Sequence, residues 1–232
     1  MTTANTPGQP VTAGRLHFQD ELRELERSAL GAIDIVLEQI DRTLEALAHQ
    51  DVELATIVIA ADGRLDGLYR DVHQRILSLL ARQSPVAGDL RVVAALLHVI
   101  VYLERMGNQC VSIAKLIPLS GHEPPTLPDI LALLLAMGEL ARSEVSQSKR
   151  AFANRDVDLA EDLVRQDREV DEIEREILSK VIEVDLDDDT REWAMHMVLV
   201  ARALERIGDN AVDVGEQTAF VVKGLFREFS DF

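Results

Sequence analysis

At four places along the chain, an acidic residue is followed one helical turn later by another acid or by an amide. Three places carry two carboxylates and the fourth joins a carboxylate to an amide: Asp62 with Asp66, Asp167 with Asp171, Glu205 with Asp209, and Glu104 with Asn108. Since residues i and i+4 project from the same face of an α-helix, each pair presents its two polar side chains together. Carboxylates grouped in this way are candidate ligands for a metal ion.

The four pairs also stand at matched distances from two predicted turns. In the first half they are symmetric about Pro85, which interrupts a helical pattern. In the second half they are symmetric about residue 188, inside the acidic stretch 185–190, which suits a helix N-terminus. Residues equidistant from the turn of an antiparallel helix pair lie side by side. Each half is therefore expected to hold four polar groups at one level between two helices.

Carboxylates this close repel one another unless a cation compensates them. Hard cations such as Mg²⁺, Ca²⁺, Mn²⁺ and ferric iron prefer oxygen ligands. The second half offers four carboxylates, whereas Asn108 lowers the charge of the first half and predicts a weaker site there. The alternative is a pair of solvated helix faces neutralised by arginines nearby in the sequence, namely Arg64, Arg105, Arg168 and Arg206.

Composition narrows the functional classes. The chain has 232 residues and a net charge of −17, which disfavours binding to nucleic acid. Cys110 is the single cysteine, so no intrachain disulfide or cysteine zinc site is possible, and a cytoplasmic location is expected. Residues 1–14 lack the features of a signal peptide. The longest strongly apolar run, 130–137, is too short to span a bilayer, so no membrane insertion is expected.

The chain repeats itself, and its apolar residues recur at helical spacing. Residues 50–55 match 155–160 and residues 103–111 match 204–212. These repeats predict an all-α protein made of two tandem, similar three-helix bundles. The predicted parts are a flexible tail at 1–12, a first repeat at 13–118, a linker at 119–128 and a second repeat at 129–226. The predicted helices are 12–49, 51–83, 87–118, 127–154, 156–184 and 189–226.

Two nonapeptides carry a resemblance to a known family. Leu204-Glu-Arg-Ile-Gly-Asp-Asn-Ala-Val212 resembles the signature of the PhoU family of phosphate-transport regulators, and Leu103-Glu-Arg-Met-Gly-Asn-Gln-Cys-Val111 looks like a drifted first copy. The tripeptide Asp89-Leu-Arg91, shortly after Pro85, also matches the family pattern. Together with the duplication, the resemblance covers the chain from about 13 to 224.

The resemblance implies a function and a set of partners. It implies a negative regulator of phosphate signalling and uptake, acting as a metal-binding adaptor between the phosphate ABC transporter and a sensor histidine kinase, and often dimeric. The metal would be iron, zinc, manganese or magnesium. The ligands carried over by position are Asp62, Asp66, Glu104, Asp167, Asp171, Glu205 and Asp209. Asn108 departs from the family's acid, which puts the first-half site in question.

Two other functions, a metalloenzyme and a phosphotransfer protein, have less support in the sequence. A carboxylate-bridged metalloenzyme is conceivable, but helical di-iron sites use Glu-x-x-His, and the residues three after Glu104 and Glu205 are Gly107 and Gly208. A phosphotransfer bundle would need an accessible histidine with supporting chemistry. The candidates on predicted helices are His73, His98 and His196. The chain is therefore expected not to be an enzyme.

Overall fold

The computed structural model describes residues 10–82, 85–120, 127–183, 188–226 and 228–229. It describes no side chains at 10–14, 62, 120 and 189. Within these ranges every regular element is helical. No helix among the described residues combines the length and the apolar character that crossing a bilayer requires.

The helices confirm the predicted all-α fold with two three-helix halves. In chain order they are α1 (Pro10–His49), α2 (Val52–Ala60), α3 (Asp62–Arg82), α4 (Ala87–Leu116), α5 (Pro128–Asn154), α6 (Val157–Glu183) and α7 (Asp188–Lys223), with a short 3₁₀ helix, Ile117–Ser120, after α4. The predicted linker 119–128 and tail 1–12 fall largely outside the described residues.

The predicted helix 51–83 is two helices, α2 and α3, which meet at Ala61. The Ala61 backbone remains in the right-handed region, with φ −78° and ψ −9°. Its N–H donates to the carbonyls of Ile57 and Val58, and its carbonyl accepts from Arg64 N at 3.1 Å. An Asp-Gly dipeptide follows directly, and both residue types are poor helix formers. The local sequence therefore favours a break that the apolar periodicity does not reveal.

The first helices of the two repeats end in the same way. Gln50 and Arg155 both adopt a left-handed conformation, with φ 51° and 56°. The next residue in each repeat caps the following helix: Asp51 accepts from Leu54 N at 2.9 Å, and Asp156 accepts from Leu159 N at 3.0 Å. The duplication is thus visible in backbone geometry as well as in sequence.

One continuous apolar core runs through both halves. The third helices, α4 and α7, form an extensive contact between the halves, and α1 packs on α5. Gly138 permits a close approach of α5 to α1, since a Cβ there would lie 2.2 Å from Leu44 Cδ2. Ion pairs between the helices, including Arg142 with Asp41, line the α1–α5 seam. The first half therefore packs against α5 and α7, two of the three helices of the second half.

Candidate metal centre

Three carboxylates meet between α6 and α7 in the second half. Asp171 and Glu174 lie one turn apart on α6, and Glu205 faces them from α7. One oxygen from each residue lies within 4.8 Å of the oxygens of the other two. Oxygen ligands stand about 2.0–2.6 Å from Mg²⁺ or Ca²⁺, so two ligands of one ion are separated by up to roughly 5 Å. The spacing is therefore compatible with a shared cation.

Glu205 supplies a buried and unsatisfied oxygen to this cluster. The residue is only 7% exposed, and its Oε2 has no hydrogen-bond partner. Its Oε1 accepts from Arg202 Nη1 at 2.7 Å. Burial, followed by the charge of Asp209, raises the pKa of Glu205 to about 7, although the Arg202 charge opposes the shift. A buried carboxylate oxygen without a donor is costly, so it calls for a ligand.

Asp167 and Asp209 extend the same acidic environment by one helical turn. Burial and the charges of Asp209 and Asp171 raise the pKa of Asp167 to about 7. Desolvation and the charge of Asp171 also raise the pKa of Asp209. The Oδ1 of Asp167 is buried and has no hydrogen-bond partner. The four predicted ligands of the second half therefore lie together and influence one another's ionisation.

A sixth carboxyl group enters from α5. Glu144 is 0% exposed, and neither of its carboxyl oxygens has a partner. Burial, and then the charges of Asp167, Asp209 and Asp171, raise its pKa to about 9. The side chain reaches the cluster beside Gly208, where an added Cβ would lie 2.6 Å from Glu144 Oε2 and 3.0 Å from Asp167 Oδ1. The glycine therefore lets both acids approach the α7 backbone.

The first half presents a different chemistry at the corresponding positions. Where the second half has Glu144, Glu174 and Asp209, it has Gln39, Tyr69 and Asn108. Glu104 accepts a hydrogen bond from Asn108 Nδ2 at 2.8 Å, so an internal amide already satisfies one of its oxygens. The side chain of Asp62 lies outside the described residues. Asp66 is half-buried, and no metal-compatible trio occurs in the first half among the side chains that the structure describes.

Two of the four arginines considered from sequence, Arg64 and Arg105, have contacts outside the four carboxylate pairs. Arg64 pairs with Glu38 at 3.7 Å, and the Arg105 guanidinium lies 5.9 Å from the centre of the Tyr102 ring. The guanidinium that does contact the cluster belongs to Arg202. The charge of Arg206 also lowers the pKa of Asp209, so Arg202 and Arg206 together offset part of the negative charge of the six acidic residues.

Sequence reasoning missed three members of the site: Glu144, Glu174 and Arg202. Glu174 is three residues after Asp171, a spacing that shares a helix face and could have been recognised. Glu144 falls within the buried stripe of α5, three residues after the buried Ala141. An acid is rarely fully buried without a partner, so an acid on an apolar stripe is the available signal. No local sequence pattern marks Arg202 as a member of the site.

The assembled groups favour a hard cation. All six acidic members offer oxygen, and neither histidine nor cysteine belongs to the trio that meets within 4.8 Å. Oxygen-only ligand sets suit Mg²⁺, Mn²⁺, Ca²⁺ and ferric iron, whereas zinc is usually bound by nitrogen and sulfur as well. A cation held by this trio would satisfy the unpartnered oxygen of Glu205.

Comparison with known proteins shows which family this chain resembles. The PhoU domain model matches residues 30–117 and 134–218, once in each half. A PhoU homologue from Aquifex aeolicus, a phosphate-specific transport system accessory protein, is 35% identical over 190 residues, covering 80% of this chain and 84% of its own length. The corresponding homologue from Clostridium acetobutylicum is 29% identical over 217 residues, covering 92% and 98%.

Solved structures give the same result. The crystal structure of PhoU from Pseudomonas aeruginosa superimposes with a TM-score of 0.79 at 25% identity, covering 90% of this chain and 100% of that one. The phosphate transport system regulatory protein PhoU from Streptococcus pneumoniae superimposes with a TM-score of 0.82 at 26% identity, covering 90% and 99%. The family model matches well over half of the chain, once in each structural repeat, and the chain therefore belongs to the PhoU family.

Proposed function

We propose that this chain is an accessory regulator of a phosphate-specific transport system and represses phosphate-starvation signalling when phosphate is plentiful. The names of its relatives, which are accessory proteins of that transport system, support this role. The proposed partners are the phosphate ABC transporter and a sensor histidine kinase, and the proposed location is the cytoplasm, where a homodimer acts. The proposed activity is that of an adaptor and not of an enzyme.

The second half is proposed to bind a hard metal cation. The observation that carries this proposal is the buried Glu205 oxygen without a donor, within reach of Asp171 and Glu174. These three residues would hold the ion first, with Asp167 and Asp209 completing a larger oxygen-rich site. Magnesium, manganese and iron fit this ligand set better than zinc. In the first half, Gln39 and Asn108 leave too few charges for an equivalent site, and Asp66 and Glu104 are proposed to bind weakly or not at all.

A bound cation would supply charge neutralisation. It would let the buried acids release their protons and draw α6 and α7 together, since Asp171 and Glu205 come from these two helices. A surface composed of α6 and α7 would then become stiffer and less negative. That is a means by which metal occupancy could adjust the adaptor's contact with the transporter or the kinase.

A genetic experiment tests the regulatory role. The gene is deleted, and alkaline phosphatase activity from a phosphate-starvation promoter is measured in phosphate-rich medium. We expect the reporter to switch on after deletion and to fall silent again when the wild-type gene is restored. A reporter that stays silent in the deletion strain, in a host with no second PhoU homologue, would contradict the proposed repression.

A binding experiment tests the metal site separately. The double variant Asp171→Asn, Glu205→Gln is compared with the matched variant Asp66→Asn, Glu104→Gln, which makes the same chemical changes in the first half. We expect isothermal titration with Mn²⁺ to show at least a hundredfold loss of affinity for the second-half variant, and a change of less than about threefold for the first-half variant. Equal losses in the two variants would show that the halves do not differ as proposed.

A further inference from the structure

Arg202 contacts the acids that are best placed to bind a metal. Its Nη1 donates to Glu205 Oε1 at 2.7 Å and lies 3.4 Å from Glu174 Oε1. These acids are two of the three whose oxygens converge within 4.8 Å. The arginine is 52% exposed, whereas Glu205 is almost fully buried, so the guanidinium reaches inward from the surface of α7.

The guanidinium and a metal ion cannot share these oxygens freely. Arginine is positively charged at every accessible pH and has no lone pair with which to coordinate a metal. A cation bound to Glu205 would lie within a few ångströms of the guanidinium, and two like charges so close repel each other in a partly buried setting. The long, half-exposed side chain of Arg202 can rotate into solvent, so it is the group able to move.

Comparison of the two repeats shows that the arginine is found in the half that carries the acidic cluster. Residues 103–111 match 204–212 with an offset of 101, which places Val101 at the position of Arg202. The first half also replaces Glu174 with Tyr69 and Asp209 with Asn108. A positive charge at this position is therefore present only in the half that carries the dense acidic cluster, and the shared fold does not require it.

We propose that Arg202 is a tethered cation that occupies the metal site in the metal-free protein and is displaced when the metal binds. This inference rests on the proposed metal site and adds a residue that sets its affinity. Because Arg202 competes with the ion for the oxygens of Glu205 and Glu174, the side chain weakens metal binding. It also supports the metal-free fold by offsetting part of the repulsion among the acids.

The test compares Arg202→Gln with Arg206→Gln. Arg206 lies one turn further along α7, is exposed, and makes no hydrogen bond to the cluster among the described contacts, yet its charge lowers the pKa of Asp209. Both variants therefore remove one positive charge close to the site, but only the first frees ligand oxygens. The full-length proteins are stripped of metal with EDTA, and Mn²⁺ affinity is measured by isothermal titration at pH 8.

We expect Arg202→Gln to bind Mn²⁺ about tenfold or more tightly than wild type, and Arg206→Gln to change affinity by up to about threefold. Without metal, Arg202→Gln should lower the melting temperature, and this deficit should vanish in saturating Mn²⁺. Arg202→Lys, which keeps the charge but loses the forked donor, should have an intermediate affinity and guards against a misfolded glutamine variant.

Two negative results have different meanings. If the wild type binds Mn²⁺ but Arg202→Gln binds it no more tightly than Arg206→Gln does, the tethered-cation role is wrong and the metal site stands. If wild type and all three variants fail to bind Mn²⁺, Mg²⁺ and iron, the proposed site itself fails, and this inference fails with it.

Discussion

Replacing Glu144 with glutamine is expected to stabilise the metal-free protein at neutral and alkaline pH. The side chain is 0% exposed and its carboxyl oxygens have no partners. Burial, with the charges of Asp167, Asp209 and Asp171, raises its pKa to about 9 from an ordinary value of 4.5. Glutamine has nearly the shape of the protonated acid and no proton to lose, and Gln39 already occupies the matching position in the first half.

The direction of the pH dependence follows from the raised pKa of Glu144. Below pH 4.5 the folded and the unfolded chain both hold the proton, so the Glu144 carboxyl does not reduce the free energy of unfolding. Between pH 4.5 and 9 only the unfolded chain releases the proton, so the free energy of unfolding falls by about 1.4 kcal/mol per pH unit. Glutamine removes this dependence because it does not titrate in either state.

The magnitude can be worked from the same shift. Over the roughly 2.5 units from pH 5.5 to pH 8.0, the wild type should lose about 3 kcal/mol through this group. Coupling to the neighbouring acids and relaxation of the fold reduce the expected gain of Glu144→Gln to about 2–3 kcal/mol between the two pH values. For a chain of this size that corresponds to a difference of about 5–10 °C in melting temperature.

The assay is urea unfolding in EDTA, followed by circular dichroism, at pH 5.5 and 8.0. Both values lie above the isoelectric point of about 4.7. Near the isoelectric point the protein would tend to precipitate, so that pH is avoided. The control is Glu139→Gln, the same chemical change at an exposed position of α5, which should show no comparable difference between the two pH values. A Glu144→Gln variant that is destabilised more at pH 8.0 than at pH 5.5 would refute the reasoning, because it would mean that the fold binds the ionised carboxylate.

Three further outcomes follow from the site and the helices. Mn²⁺ should raise the melting temperature, measured by differential scanning fluorimetry, more at pH 8 than at pH 6. The reason is that Asp167 and Glu205, each with a pKa of about 7, must lose protons to bind the ion. Gly208→Ala should weaken Mn²⁺ binding in titrations, since its Cβ would crowd the Asp167 carboxylate, one of the proposed ligands, together with Glu144. Gly31→Ala, in open space within α1, should stabilise by about 0.5–1 kcal/mol in urea unfolding.

The sequence predicts the fold well because the signals are local and repeated. Apolar periodicity locates the helices, and Asp51 and Asp156 mark the starts of α2 and α6 through their own side chains. The break at Ala61 escaped because the apolar stripe continues across it. A short interruption changes hydrogen bonding over a few residues without shifting which face of the segment is buried.

The site is predictable only in part, for a geometrical reason. Matched distances from a turn fix the level at which α6 and α7 side chains meet, and they are the basis on which Asp167, Asp171, Glu205 and Asp209 are predicted. The same argument says nothing about how α5 is rotated about its own axis. Glu144 therefore required the tertiary packing, including the close approach at Gly208.

The two halves of the chain act as internal controls for the meaning of the acidic cluster. Both build the same three-helix arrangement, but the first half uses Gln39, Tyr69 and Asn108 where the second uses acids. The fold alone therefore does not require carboxylates at these positions. Yet in the second half Glu144 is fully buried and Glu205 keeps a buried oxygen without a donor, both of which oppose folding at neutral pH. Gln39, at the position of Glu144, is also buried without partners, but an amide carries no charge that burial must penalise. The added cost of burying ionisable groups in the second half therefore supports the proposed cation site.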